Sequence, residues 1–174
     1  MMSQLLQQAE LKSLCEHSKS FSGSVQLKDL PRLVTLLAKK DTSANYNVSF
    51  GLDGKKRLII SGDISAKLKL KCQRCMEDMD HFIELSFRLS PVRTVQESKS
   101  LPRNYEPLLI STELIIPMDI IEDELILSLP SAPKHEEQDC SVSLEKFRVK
   151  DLLDTKESPF AVLANMKNKR QIKK

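Results

Sequence analysis

Residues 46–90 read "YNVSFGLDGKKRLIISGDISAKLKLKCQRCMEDMDHFIELSFRLS", and their alternation decides the fold. Tyr46, Val48, Phe50 and Leu52 place apolar side chains on even positions. Asp53–Gly54 then signals a two-residue hairpin turn, because glycine accepts the positive φ that such turns require. From Leu58 the even positions are again apolar (Ile60, Ile64, Ala66, Leu68, Leu70), while Ser65, Lys67, Lys69 and Lys71 are odd. Beyond Cys72 the parity inverts: Ile83, Leu85, Phe87 and Leu89 are odd, and Glu84, Ser86 and Arg88 are even. Successive strand side chains point to opposite faces, so the pattern predicts a three-stranded antiparallel meander with one buried and one wet face. A C-x-x-C pair, Cys72 and Cys75, falls at the second hairpin turn.

Helical signals flank this core. Residues 3–17 have amphipathic spacing, with Ser3 as N-cap and Leu6, Ala9, Leu14 and Cys15 on the apolar side, which makes Cys15 a small core residue. Residues 30–39 predict a second helix, with Asp29 as cap, Pro31 in the first turn, and Leu30, Leu33, Val34 and Leu37 on one face. After a further strand at 105–110, residues 117–129 predict a helix with Pro117 near its start. Met118, Ile121 and Leu125 form its stripe, and Asp119, Glu122, Asp123 and Glu124 crowd the turns where the helix dipole favours negative charge. Residues 134–157 are charge-rich and aperiodic, predicting a mobile loop. Ser158, Pro159 and Phe160 then open a short helix leading into the tail. The expected architecture is α+β: a single domain over 1–166, an antiparallel meander packed with a few short helices, and a basic tail at 167–174.

Composition limits the function classes. The chain has 174 residues, 40% hydrophobic and 29% charged, which suits one soluble domain. Neither the pattern of a secretory signal nor an apolar run of membrane-spanning length occurs in the sequence, so a cytoplasmic protein is expected, with reduced thiols and no membrane partner. In that compartment C-x-x-C points to metal binding or thiol chemistry rather than a structural disulfide. There is no glycine-rich phosphate loop, G-x-S-x-G or H-E-x-x-H motif. Four glycines and three histidines leave little with which to build a catalytic site, so a binding protein without a small-molecule substrate is favoured over an enzyme.

The cysteines carry three readings. Two thiolates three residues apart form half of a tetrahedral zinc site, and "HEEQDC" supplies His135 and Cys140 to complete a set with Cys72 and Cys75. His81 is a competing ligand. The pair could otherwise be unmetallated thiols, or a thiol oxidoreductase centre, though the latter normally stands at a helix N-terminus within a βαβ unit. The carboxylate cluster Asp119, Glu122, Asp123 and Glu124 could bind a metal, but on an amphipathic helix it reads first as a solvated face and next as a surface for a basic partner, for which Glu122, Asp123 and Glu124 are candidates together with Phe160.

Charge location adds a nucleic-acid reading. The net charge is +3, but Lys167, Lys169, Arg170, Lys173 and Lys174 contribute +5, leaving −2 for the first 166 residues. Basic tails suit polyanions, because Lys and Arg displace condensed counterions from phosphates; solubility is the plainer explanation. Lys67, Lys69 and Lys71 share the wet face of one strand, Arg88 lies on the next, and Arg74 sits at the turn. Such a row can follow an RNA backbone, with little base readout expected in the absence of an obvious stacking set.

Five separated motifs, "LKCQRCMEDMDHF", "LSPVRT", "LPRNYEPLLI", "IIEDELILSLPSAPKHEEQDC" and "SPFAVLANMK", resemble in order and spacing the bacterial YceD family of large ribosomal RNA subunit accumulation proteins. The resemblance runs from about residue 46 to 168, roughly 70% of the chain, and Ser158 stands where relatives commonly carry Asn. It implies a non-enzymatic factor for 23S rRNA synthesis, processing or accumulation in large-subunit assembly. The implied partners are 23S rRNA or its precursor and a large-subunit ribosomal protein or assembly factor. No catalytic residues are carried over, and one structural zinc is the cofactor the residues themselves suggest.

Overall fold

The computed structural model describes residues 6–110 and 114–142. The predicted meander is present as β3 (Ser43–Leu52), β4 (Leu58–Lys71) and β5 (Asp78–Val92) of a five-stranded sheet. The sheet is completed by β2 (Ser20–Gln26) beside β3 and β6 (Glu106–Leu109) beside β5, giving the order β2-β3-β4-β5-β6. All pairings are antiparallel except β5 with β6. A two-stranded ribbon joins β1 (Leu6–Gln7) to β7 (Leu114–Ile115). Among the described residues, three α-helices accompany the strands: α1 (Gln8–Glu16), α2 (Val95–Lys99) and α3 (Pro117–Ser128). The fold is α+β, as the alternation requires.

The parity works as strand geometry dictates. Ile60, Ile64, Leu68 and Leu70 from β4 and Ile83, Phe87 and Leu89 from β5 are buried on the inner face. Against them pack Leu11 and Cys15 of α1 and Ile121 and Leu125 of α3, all 1% exposed or less. Each such aliphatic side chain contributes about 1.5–3 kcal/mol through burial. The outer face carries short polar groups: Asn45, Asn47 and Ser49 stand opposite Ser65, Asp63 and Ser61.

Three local expectations are corrected. Residues 30–39 form no helix; Leu27–Asp29 and Leu33–Leu36 are separate 3-10 turns, and Leu37 is extended. The cause lies in the sheet. β3 ends its pairing with β4 at Ala44↔Ala66, leaving the far part of β4 with a bare edge. Ala38 N–H donates to Lys69 O at 2.7 Å and Lys39 bridges Lys69, so the chain leaves helical geometry to cover that edge.

The Asp53–Gly54 turn is also larger than predicted. It spans residues 53–57, with the Asp53 carboxylate accepting from the Lys55 and Arg57 amides at 2.8 and 2.9 Å. Lys56, at φ 60°, takes the left-handed position, and Gly54 does not. The N-terminal helix is shorter than expected: it begins at Gln8, because Leu6 and Gln7 pair with β7.

Among the described residues, no helix is long and apolar enough to cross a membrane.

Candidate functional site

The hairpin between β4 and β5 closes through Cys72, whose amide donates to Glu77 O at 2.9 Å while its carbonyl accepts from Met76 N at 2.9 Å. Met76 adopts φ 63° to make the turn. A second segment reaches the same place from the end of α3. Prolines at 130 and 133 prevent helix continuation, and Pro133 O accepts from Gln73 N at 2.8 Å. Residues 134–142, the start of the segment expected as a mobile loop, lie beside the knuckle; 143–157 lie outside the described residues.

This docking assembles the four candidate ligands. The ligand atoms of Cys72, Cys75, His135 and Cys140 all lie within 4.8 Å of one another. In a tetrahedral zinc site with Zn–S bonds near 2.3 Å, sulfurs stand about 3.8 Å apart, so shifts of about an ångström would close the set. Cys75 Sγ already lies 3.3 Å from His135 Nδ1. The cluster could hold a metal ion, and its three sulfurs and one imidazole suit zinc. His81 stands opposite Leu68 in the β4–β5 register and takes no part.

The surroundings favour ionised sulfur. Burial pushes the Cys72 thiol up, but amides of Cys75, His135 and Arg74 and the Cys75 side chain outweigh it, lowering the pKa to about 5. The Arg74 and His135 amides lie 3.4 and 3.5 Å from Cys72 Sγ. For His135, desolvation opposes the charged form, but contacts with Cys75 and Cys72 outweigh it and raise the pKa. Arg74 turns inward. Its Nε donates to Cys140 Sγ at 2.9 Å and its Nη2 to the carbonyls of His135 and Glu136 at 3.1 and 3.3 Å.

Lys67, Lys69 and Lys71 lead along the outer face of β4 into this knuckle. Asp80 pairs with Lys67 at 3.2 Å and Lys69 at 2.5 Å, and Asp78 with Lys71 at 2.8 Å. The row is therefore an ion-pair ladder rather than a set of bare cations. Arg88 lies apart from it, 6.0 Å from the Tyr105 ring centroid, which Arg57 also approaches at 5.5 Å. Lys167, Lys169, Arg170 and Phe160 lie outside the described residues.

The acidic helix is divided in function. Glu122 is 2% exposed, and its Oε1 accepts the amides of Arg32 and Leu33 at 2.7 and 3.0 Å, capping the 33–36 turn. Arg32 Nε donates to its other oxygen at 2.9 Å, and Arg32 Nη1 to Asp123 at 2.6 Å. The Glu122 carboxylate is thus employed inside the fold instead of facing a partner. Glu124 is half-buried; desolvation, then Glu106 and Asp123, raise its pKa.

Residues 60–167 match the family described as "Large ribosomal RNA subunit accumulation protein YceD". The chain belongs to the YceD family. It is also 35% identical over 153 residues to the large ribosomal RNA subunit accumulation protein YceD of Haemophilus influenzae, covering 86% of this chain and 88% of that one. No solved structure matches. The YceD match contains all four members of the Cys/His cluster and the whole lysine row.

Proposed function

We propose that this protein is a cytoplasmic, non-enzymatic factor that supports accumulation of 23S rRNA and assembly of the large ribosomal subunit by binding large-subunit rRNA or its precursor. Family membership supplies the process, since the relative's name refers to large ribosomal RNA subunit accumulation. The observation that carries the binding reading is the continuity of the lysine strand with the Cys/His knuckle: Lys67, Lys69 and Lys71 run directly into Cys72. One zinc at Cys72, Cys75, His135 and Cys140 would fix the segment after α3 against the end of the β4–β5 ribbon and so hold the RNA-facing surface in shape. The zinc is structural in this reading. A thiol oxidoreductase role is disfavoured because Cys72, the sulfur with the lowered pKa, is fully buried and the pair sits between antiparallel strands.

Sucrose-gradient sedimentation of extracts from cells lacking the gene, probed for 23S and 16S rRNA, tests the process. A selective deficit of 23S rRNA and of mature large subunits is expected. Unchanged 23S-to-16S ratios under several growth conditions would overturn it.

A further inference from the structure

Phe82 is the outlier of the outer sheet face. It is 71% exposed on β5, among positions otherwise held by Asp78, Asp80, Glu84, Ser86 and Arg88. The core makes no use of the ring. Directly across the ladder stands Lys67, whose Nζ lies 5.0 Å from the ring centroid. A groove of about 660 Å³ adjoins the pair, lined by Ser43, Asn45, Ser65, Lys67, Phe82 and Glu84. An exposed aromatic face, a cation beside it and short hydroxyl and amide groups around it are the components with which single-stranded nucleic acids are held. The base stacks on the ring, the phosphate meets the cation, and small polar groups reach the base edge or the 2′-OH.

The charge balance points the same way. Lys39 approaches Lys69 through the bridge at the β4 edge and lies near enough to help hold the Asp78 carboxyl down. Lys39, Lys67, Lys69 and Lys71 thus meet three carboxylates, Asp78, Asp80 and Glu84. The ion-pair ladder leaves a cationic excess next to the ring, which suits a polyanion better than an acidic or neutral peptide would suit the polar groove.

We infer that Phe82 is a stacking platform for an unpaired nucleobase of single-stranded RNA, with Lys67 positioned for the adjoining phosphate. The inference rests on the RNA-binding reading and specifies where and in what form the RNA is held. It replaces pure backbone recognition with one stacked base.

The chain contains no tryptophan, so Phe82→Trp introduces a single fluorophore at an exposed position. Titrating the full-length variant with a single-stranded uridine 12-mer should quench that fluorescence. By anisotropy, Phe82→Ala should raise the Kd of the same 12-mer about five- to 150-fold, the range for loss of one stacked base, and Phe82→Tyr should restore most of it. A duplex of equal length should bind without quenching and without sensitivity to Phe82→Ala.

Equal affinity of wild type and Phe82→Ala, or an unquenched tryptophan in a complex that anisotropy shows to form, would overturn the platform and leave the RNA-binding reading standing. Failure of the wild-type chain to bind any single-stranded or precursor 23S RNA would overturn both.

Discussion

Cys75 Sγ and His135 Nδ1 lie 3.3 Å apart although 60 residues separate them in the chain. That approach joins a hairpin turn to the segment following α3, and each arm brings one further sulfur, Cys72 from the hairpin and Cys140 from the segment after α3. Protein purified without chelator should therefore carry about one zinc per chain, measured by elemental analysis. Cys75→Ser or His135→Ala should lower that content sharply. Because the inner face of the sheet has its own apolar core, chelation should open residues 133–142 to hydrogen exchange while the amides of β4 and β5 stay protected. Zinc-free protein with unchanged exchange on chelation would refute the site.

Glu122 and Arg32 are a second long-range pair. Glu122→Ala leaves the Arg32 and Leu33 amides and the Arg32 guanidinium without their acceptor. Urea denaturation should show a loss of about 2–4 kcal/mol, reduced from the value for a fully buried pair because Arg32 is half-exposed. Glu122→Gln keeps an oxygen for the two amides and should lose about half as much.

Gly62 faces Phe87 across β4 and β5. A Cβ there would lie 2.5 Å from Asn47 O and 2.7 Å from Phe87 Cζ. Gly62→Ala should destabilise the sheet by about 1–3 kcal/mol in urea melts.

The ion-pair ladder predicts an acid response. Hydrogen bonding to Lys71 holds the Asp78 carboxyl below its usual range, and hydrogen bonding to Lys69 does the same for Asp80, each against some desolvation. A carboxyl whose folded pKa is lowered stabilises the fold fully above its unfolded pKa, about 3.9, and loses that contribution as pH falls through the lower folded value. The ladder's contribution should thus be constant from pH 7 to about pH 5 and fade below about pH 4. The double variant Asp78→Asn with Asp80→Asn should show a smaller acid loss in denaturant titrations. It should also bind single-stranded RNA more tightly at low salt, since the lysines are released from competition.

The meander was legible because two-fold alternation over more than forty residues has one physical solution, and the ligand set because its chemistry is restricted to a few residue types. Other elements were hidden for identifiable reasons. The serine-rich β2, "SFSGSVQ", has low strand propensity and is held by pairing with β3 along its whole length. Residues 30–39 have helical spacing, yet the bare edge of β4 captures Ala38 and Lys39. The short α2 did have a signal: Thr94 caps the Glu97 amide, and the Glu97 side chain reaches back to Arg93 N at 2.7 Å, a T-x-x-E capping pattern. Phe82 was visible as an aromatic at a wet-face parity, and the ladder of Asp78 and Asp80 against the lysines follows from the strand register, which requires knowing the turn length.

Ultraviolet cross-linking of the tagged chain in growing cells, followed by sequencing of the attached RNA, decides whether the protein holds large-subunit rRNA. Cross-links should concentrate in 23S rRNA or its precursor, at unpaired nucleotides, and be reduced by Phe82→Ala. Cross-links spread evenly over 16S and 23S rRNA, or none above an untagged control, would contradict that binding.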